Sequence, residues 1–407
     1  MKSVLKKIPM TQVTRGMFIH KISGKWMDHP FWKGSFLVAD MKTLQVLRAL
    51  GEREVWIDAG KGVDAAQAAP RPVMDEAHVP TVAMAAGARV ADAAATERTD
   101  FGSEVAQAEV IRERAKGVAK SLFADARMGR ALSMDAAVEI VEEVSNSITR
   151  NPAAILSVLR LKKKDDYTYL HSVAVSALMM ALGRWLGVEG EAVRELGMAG
   201  LLHDIGKVGV ADAVLNKPGR LNPMEITSVR LHPEMGWDIL RQQPGTSKVV
   251  LDVCLHHHEK VDGSGYPDKL SGEELSRAAR MGAICDVYDA ITSERCYKKG
   301  WEPAEAIRRM AEWQEGHFDR ELFHAFVKLI GIYPTGTLVR LASNRLALVL
   351  VQGRNSSLSP IVRVLRSLPS NEDLPPTLVD LEDPSDAIVG IEDPGEWDLD
   401  IPLLLRS

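Results

Sequence analysis

Apolar and polar positions change rhythm several times along the chain. Over residues 1–58 the apolar residues come in short runs punctuated by glycine, such as Met17-Phe18-Ile19, Ser35-Phe36-Leu37-Val38 and Val55-Trp56-Ile57. Runs of this kind predict strands, here with one helix near Met41–Leu50, and so a small α+β N-terminal domain. Residues 59–102 turn to Ala, Pro, Gly and scattered charge, the composition of a linker. Helical periodicity begins near Ser103. Val105, Ile111, Val118 and Leu122 fall close to one face, and Val138, Val141, Val144 and Ile148 make a second stripe, so two connecting helices are expected over 103–150.

Asn151-Pro152 then punctuates the chain, because the residue before proline is disfavoured in a helix. Residues 151–333 form a long helix-rich stretch almost without strand patterns. Two helix starts are legible there: Asn222-Pro223-Met224-Glu225 supplies an N-cap, a first-turn proline and a third-position carboxylate, and Ser271 with Glu274 makes a second capping box. Past Tyr333-Pro334, Val- and Leu-rich runs flank the turn-like Gly353-Arg354-Asn355-Ser356-Ser357 and predict a short β appendix over 334–370. The acidic stretch 371–407, with two Asp-Pro steps, predicts a solvated or weakly docked tail.

Composition narrows the function classes. With 407 residues, 46% hydrophobic and 26% charged, the chain can build a large core in two or three units. A net charge of −5 argues against a long nucleic acid as partner. Cys254, Cys285 and Cys296 are odd in number and unspaced, which suits reduced thiols and a cytoplasmic setting. The apolar run Ser172–Leu182 is soon followed by Arg184 and falls short of the ~18 residues that suggest a membrane span. The basic start also lacks the apolar run of a signal peptide.

The chemistry concentrates in the helix-rich stretch. His171, His203, His232, His256, His257 and His258 lie there with Asp204, Glu259, Asp262 and Asp286. One histidine on a helix is ordinarily a hydrogen-bonded core residue, but six in one domain beside carboxylates suit a divalent transition metal. In His203-Asp204-Ile205-Gly206-Lys207 two candidate ligands are adjacent. Neighbours on a helix point ~100° apart, so such a pair works best at a helix end, which Gly206 could supply. Lys207 adds a fixed positive charge for a phosphate or a developing oxyanion. The second cluster is His257-His258-Glu259, followed by the tight loop Asp262-Gly263-Ser264-Gly265-Tyr266-Pro267.

Together these residues resemble the HD-GYP family of the HD phosphohydrolase superfamily over about His171–Tyr333. Thr14-Arg15-Gly16-Met17 and the basic start resemble a domain of unknown function often found ahead of it. The resemblance implies a mainly α protein: an all-helical HD phosphohydrolase domain behind a small α+β domain, with a short C-terminal β appendix. It implies His171, His203, Asp204, His232, His257, His258 and Asp286 as metal ligands, Asp204 bridging two divalent ions, iron or manganese. Tyr167 stands where some members carry a glutamate for a third metal, and His256 lies outside the pattern.

The same resemblance makes Asp204 and Lys207 catalytic, and Lys207, Asp289, Arg295 and Lys298 contacts to substrate. Gly265, Tyr266 and Pro267 would shape the entrance, meet a diguanylate cyclase or other regulatory protein, or only brace the histidine pair. The implied reaction is hydrolysis of cyclic di-GMP to pGpG, continuing or not to GMP, in bacterial signalling. Two alternatives stay open: a phosphohydrolase for another cyclic dinucleotide or nucleotide, and a non-catalytic scaffold binding nucleotide or partner. The stripes on 105–122 and 138–148 also permit a homodimer contact.

Overall fold

The computed structural model describes residues 4–22, 35–38, 43, 44, 47, 54–63, 101–160, 167–293, 300–353, 356, 358–397 and 399–406. At the N-terminus, β1 (Leu5–Pro9), β2 (Phe18–Ile22), β3 (Phe36–Leu37) and β4 (Glu54–Asp58) form an antiparallel sheet in the order β1-β4-β2-β3. Alternation decides its faces: Val55 and Ile57 join Ile8, Met17 and Ile19 in a small core, while Trp56 points outward. Of the helix expected at Met41–Leu50, residues 43, 44 and 47 are described and are helical. Most of the expected linker lies outside the described residues.

The helical body begins with α1 (Phe101–Arg127) and α2 (Met134–Arg150). These are more than connectors, since Val105, Ile111, Leu122, Val141, Val144 and Ile148 sit in one core with the helices that follow. Glu104 fixes their pairing: fully buried, it accepts from Ser147 Oγ at 2.8 Å and from Arg150 Nε at 2.7 Å. Val138, expected on the buried stripe, is exposed. The rest of both stripes is spent inside the chain.

Next come α3 (Pro152–Arg160), α4 (Tyr167–Trp185), α5 (Glu191–Leu202), α6 (Pro223–Arg230), α7 (His232–Leu240), α8 (Lys248–His256), α9 (Arg277–Thr292), α10 (Pro303–His317) and α11 (Arg320–Ile330). Both sequence-legible capping boxes form, at Asn222/Glu225 and at Ser271/Glu274. From Leu170 to Leu182, α4 is buried on every side, as a central helix must be when apolar all round. Small residues let α5 lie close to it, and Ser176 Oγ donates to Gly197 O at 2.7 Å. That crossing brings His171 and the end of α5 together.

The chain closes with β5 (Leu338–Leu341), β6 (Arg345–Val351), β7 (Ile361–Ser367), β8 (Glu372–Asp380), β9 (Ile388–Ile391) and α12 (Ile401–Arg406). The sheet order is β8-β7-β6-β5-β9, antiparallel throughout. The expected boundary at 370 is therefore wrong, and 371–407 is not a tail. Its acidic residues are used: Asp386 accepts from Ser343 and Arg345, and Glu392 from Arg340 and Trp397. Pro375 and Pro376 fit because β8 is an edge strand. Ile401 and Leu405 of α12 are buried in the main core. No helix among the described residues is long and apolar enough to cross a membrane.

Candidate metal centre

Five chain segments meet at one point in the helical body. His171 projects from the first turns of α4, and His203 caps α5, with Asp204 leading into a single 3-10 turn at Ile205–Gly209. His232 opens α7, His257 caps α8 with His258 next, and Asp286 lies midway along α9. Helix ends explain why the adjacent pairs His203-Asp204 and His257-His258 can converge, where a continuing helix would splay them. Gly206 does not end α5, as the sequence suggested. Its role is close approach: a Cβ there would lie 1.9 Å from the His232 carbonyl oxygen and 2.4 Å from Gly236 N.

The donors form two sets divided by one carboxylate. Asp204 Oδ2 lies 3.5 Å from His171 Nε2 and 3.4 Å from His203 Nε2. Its Oδ1 lies 3.1 Å from His232 Nε2 and 3.8 Å from His257 Nε2. Asp286 spans them similarly, with Oδ1 3.0 Å from His171 Nε2 and Oδ2 3.8 Å from His258 Nδ1. Within 4.8 Å clusters, His171/His203/Asp286, His203/Asp204/His257 and His232/His257/His258 each offer three ligand atoms.

Tautomers point the lone pairs inward. Nδ1 of His203 donates to Gly200 O at 2.7 Å, that of His232 to Val229 O at 2.6 Å, and that of His257 to Val253 O at 3.0 Å. With Nδ1 donating, the neutral form of each ring presents an unprotonated Nε2 to the centre. His232 and His257 bring their Nε2 atoms within 3.2 Å, a contact that two neutral rings of this tautomer cannot fill with a hydrogen. His203 Nε2 and Asp204 Oδ1 are buried without a hydrogen-bond partner, among the few such atoms in the described residues. The orphaned atoms and the nitrogen-oxygen donor set fit a divalent transition metal.

Electrostatics favour the neutral form at two of these rings. Burial drives His258 down to about 3 and His257 well below its usual value, with neighbouring imidazoles adding to the effect, so both stay neutral. Burial opposes charge on Asp204 too, yet the Lys207 ammonium and His203 hold its carboxyl well below the usual range. Burial would lower His203, but Asp204 and Asp286 raise it to about 10, so without a metal this ring favours its protonated form.

The seven expected ligands thus come together. Lys207 forms an ion pair with Asp204. Asp289, expected at the substrate, is instead buried, with Oδ2 2.7 Å from His171 Nδ1, and so it orients that ring. Arg295 and Lys298 lie outside the described residues. Gly265 is buried, and the Tyr266 ring stacks on His258 with centroids 4.9 Å apart and planes at 27°. Tyr266–Pro267 is a cis peptide. The loop thus packs on the histidine pair, and Glu259 Oε1 holds it there by accepting from Asp268 N and Lys269 N at 2.6 and 2.8 Å.

His256, left without a role by sequence reasoning, has one. Its Nδ1 bonds Asp252 at 2.7 Å and its Nε2 faces Asp268 at 3.3 Å. Although burial opposes it, these carboxylates raise its pKa to about 9, so it ties α8 to the loop as a cation. The i,i+4 spacing of Asp252 and His256 was the available signal.

Fold and site define a helical HD-type phosphohydrolase with a histidine-carboxylate centre. Residues 142–322 match the family model described as HD domain, and residues 5–137 match a domain of unknown function, DUF3391. A Pseudomonas aeruginosa protein named cyclic di-GMP phosphodiesterase PA4108 is 51% identical over 97% of this chain and 94% of its own. The cyclic di-GMP phosphodiesterase response regulator RpfG of Xanthomonas campestris pv. campestris is 32% identical over 54% of each chain. A Vibrio cholerae 3'3'-cGAMP-specific phosphodiesterase 3 is 34% identical over 42% of this chain and 37% of its own. The chain belongs to the HD-GYP family of phosphodiesterases, with a DUF3391 unit ahead of its HD domain.

Proposed function

We propose that this enzyme hydrolyses a 3',5'-phosphodiester of cyclic di-GMP to give pGpG, using two divalent ions, iron or manganese. The observation that carries the reading is Asp204, whose two oxygens face different histidine sets. His171, His203 and Asp286 would hold one ion, His232, His257 and His258 the other, with Asp204 between them. When bound, such a pair supplies Lewis acidity that activates water and offsets charge on the phosphate.

The residues of the chain do the rest. Asp289 and the carbonyls of Gly200, Val229 and Val253 keep the imidazoles in the ligating tautomer. Lys207, partly exposed beside Asp204, offers its ammonium to a phosphate oxygen and a proton to the departing O3'. Water adds to phosphorus, the P–O3' bond breaks, and the linear dinucleotide keeps a 5'-phosphate. Arg295 and Lys298 are placed by sequence to bind substrate. Product release at pGpG, with slower cleavage to GMP, follows if one diester fills the centre at a time.

A second reading has specific support: the similarity to a 3'3'-cGAMP-specific enzyme is consistent with a mixed cyclic dinucleotide. Base contacts rather than metal chemistry would decide between them. Buried free thiols at Cys254 and Cys285 suit a cytoplasmic setting. Arg15 of the N-terminal unit lies 3.3 Å from Asp238 on α7, a contact through which a regulatory partner could reach the helix bearing His232.

The deciding experiment is anaerobic purification, metal analysis, and turnover of both cyclic dinucleotides beside Asp204→Ala. About two ions per chain and faster cyclic di-GMP turnover, both lost in the variant, are expected. Turnover that survives loss of the metals would overturn the mechanism, and preference for the mixed dinucleotide would establish the second reading.

A further inference from the structure

We infer that Arg230 positions the substrate by binding the phosphate that is not being cleaved. The inference rests on the cyclic-dinucleotide reading above, in which the substrate carries two phosphodiesters. One sits at the histidine-carboxylate centre beside Lys207. The other needs its own cation a short way off.

Arg230 is the last residue of α6, two before His232. The residue before it is tied to the centre, because His232 Nδ1 donates to Val229 O at 2.6 Å. Its guanidinium carbon lies 5.2 Å from the Tyr266 ring centroid, and that ring stacks on His258. Arg230, Tyr266 and His258 therefore form a ladder leading out of the centre, with the guanidinium one aromatic ring from a candidate ligand.

Two further features separate Arg230 from an ordinary surface arginine. It is exposed, yet it has no carboxylate partner among the described residues, unlike Arg127, Arg241 and Arg308, which are paired. Moreover, a guanidinium lying against an aromatic face keeps its in-plane N–H groups free, the arrangement that suits bidentate binding of a phosphate. A phosphate also matches the charge that this unpaired cation leaves uncompensated.

The test uses the metal-loaded full chain with Arg230→Gln and Arg230→Lys. Substrates are cyclic di-GMP, cyclic di-AMP and bis(p-nitrophenyl) phosphate, which has a single phosphate and no base. Removing a charged hydrogen-bond partner should raise KM for both cyclic dinucleotides on the order of tenfold, kcat changing far less. The effect on the single-phosphate diester should be several times smaller, and Arg230→Lys should recover only part of the loss.

Equal losses on all three substrates, with lower metal content, would overturn the inference by showing that Arg230 only holds Tyr266 on His258. A KM effect confined to cyclic di-GMP would overturn it in favour of guanine recognition, and no effect would overturn it outright. Wild-type turnover is read separately. Its absence on cyclic dinucleotides would sink the substrate reading together with this inference, whereas normal turnover with an unmoved KM would sink the Arg230 inference alone.

Discussion

Asp289 Oδ2 lies 2.7 Å from His171 Nδ1, and both side chains are buried. A carboxylate behind a ligating histidine fixes its tautomer and raises its basicity, and losing such a partner typically costs about 10–100-fold in metal affinity. Asp289→Ala should therefore weaken metal retention by roughly that factor, and excess metal should restore much of the turnover. Metal titration alongside a KM measurement checks this. Full metal content with a raised KM would instead return Asp289 to the substrate-binding role that its sequence position suggested.

The close approach at Gly206 gives a second prediction. A Cβ there would meet backbone, the His232 carbonyl oxygen at 1.9 Å, with no flexible side chain to yield. Gly206→Ala must push α7 away from the turn after Asp204, costing about 1–3 kcal/mol as overpacking does. Since α7 carries His232, metal content should fall with the melting temperature. Gly117, exposed within α1 with nothing within 4 Å of an added Cβ, is the control. There alanine should stabilise by roughly 0.5–1 kcal/mol, because it removes backbone freedom from the unfolded chain. Equal melting shifts in the two variants would refute the packing account.

Metal removal tests the centre as a whole. His232 and His257 bring two ring nitrogens within 3.2 Å, and His203 Nε2 and Asp204 Oδ1 are buried without hydrogen-bond partners. Each of these costs stability unless a cation occupies the centre. Stripping the metal with a chelator should lower the melting temperature, and re-addition should raise it with concentration. A ligand at a hundredfold excess over its Kd contributes about 2.7 kcal/mol per site. Asp204→Ala should blunt that response, and a response equal to wild type would mean that the ions bind elsewhere.

Much of this centre was legible because its ligands are neighbours in sequence. His203-Asp204 and His257-His258 are covalently adjacent, and adjacency at helix ends carries over into space. Asp289 was placed on the right face of α9 by its spacing from Asp286, but spacing cannot say that His171 lies opposite. Arg230 gave no sign, since a lone charged residue at a helix end reads as solvated. At the C-terminus, β8 contains two prolines and β9 spans Ile388–Ile391, so neither shows the alternation that exposes a strand. Asp386 and Glu392, which flank β9, looked like part of a tail because their arginine partners lie about forty or more positions away.

The last prediction concerns pH and the base of the Tyr266 loop. Val261 N and Asp262 N donate to the carbonyls of His317 and Gly316, so the end of α10 anchors that loop. The His317 ring stacks on Phe318 with centroids 4.1 Å apart. Burial first, and the nearby Lys260 second, lower its pKa from 6.5 to about 4. Below pH 6.5 the unfolded chain takes up a proton that the folded chain refuses, so stability falls with pH until His317 protonates in the fold near pH 4. Above 6.5 the contribution is complete and constant. His317→Gln cannot titrate, so its melting temperature relative to wild type should rise as the pH is lowered through this window. Metal loss at low pH affects both proteins alike and cancels in the difference. A difference that does not vary between pH 7 and about 4 would show that His317 is not held neutral by the fold.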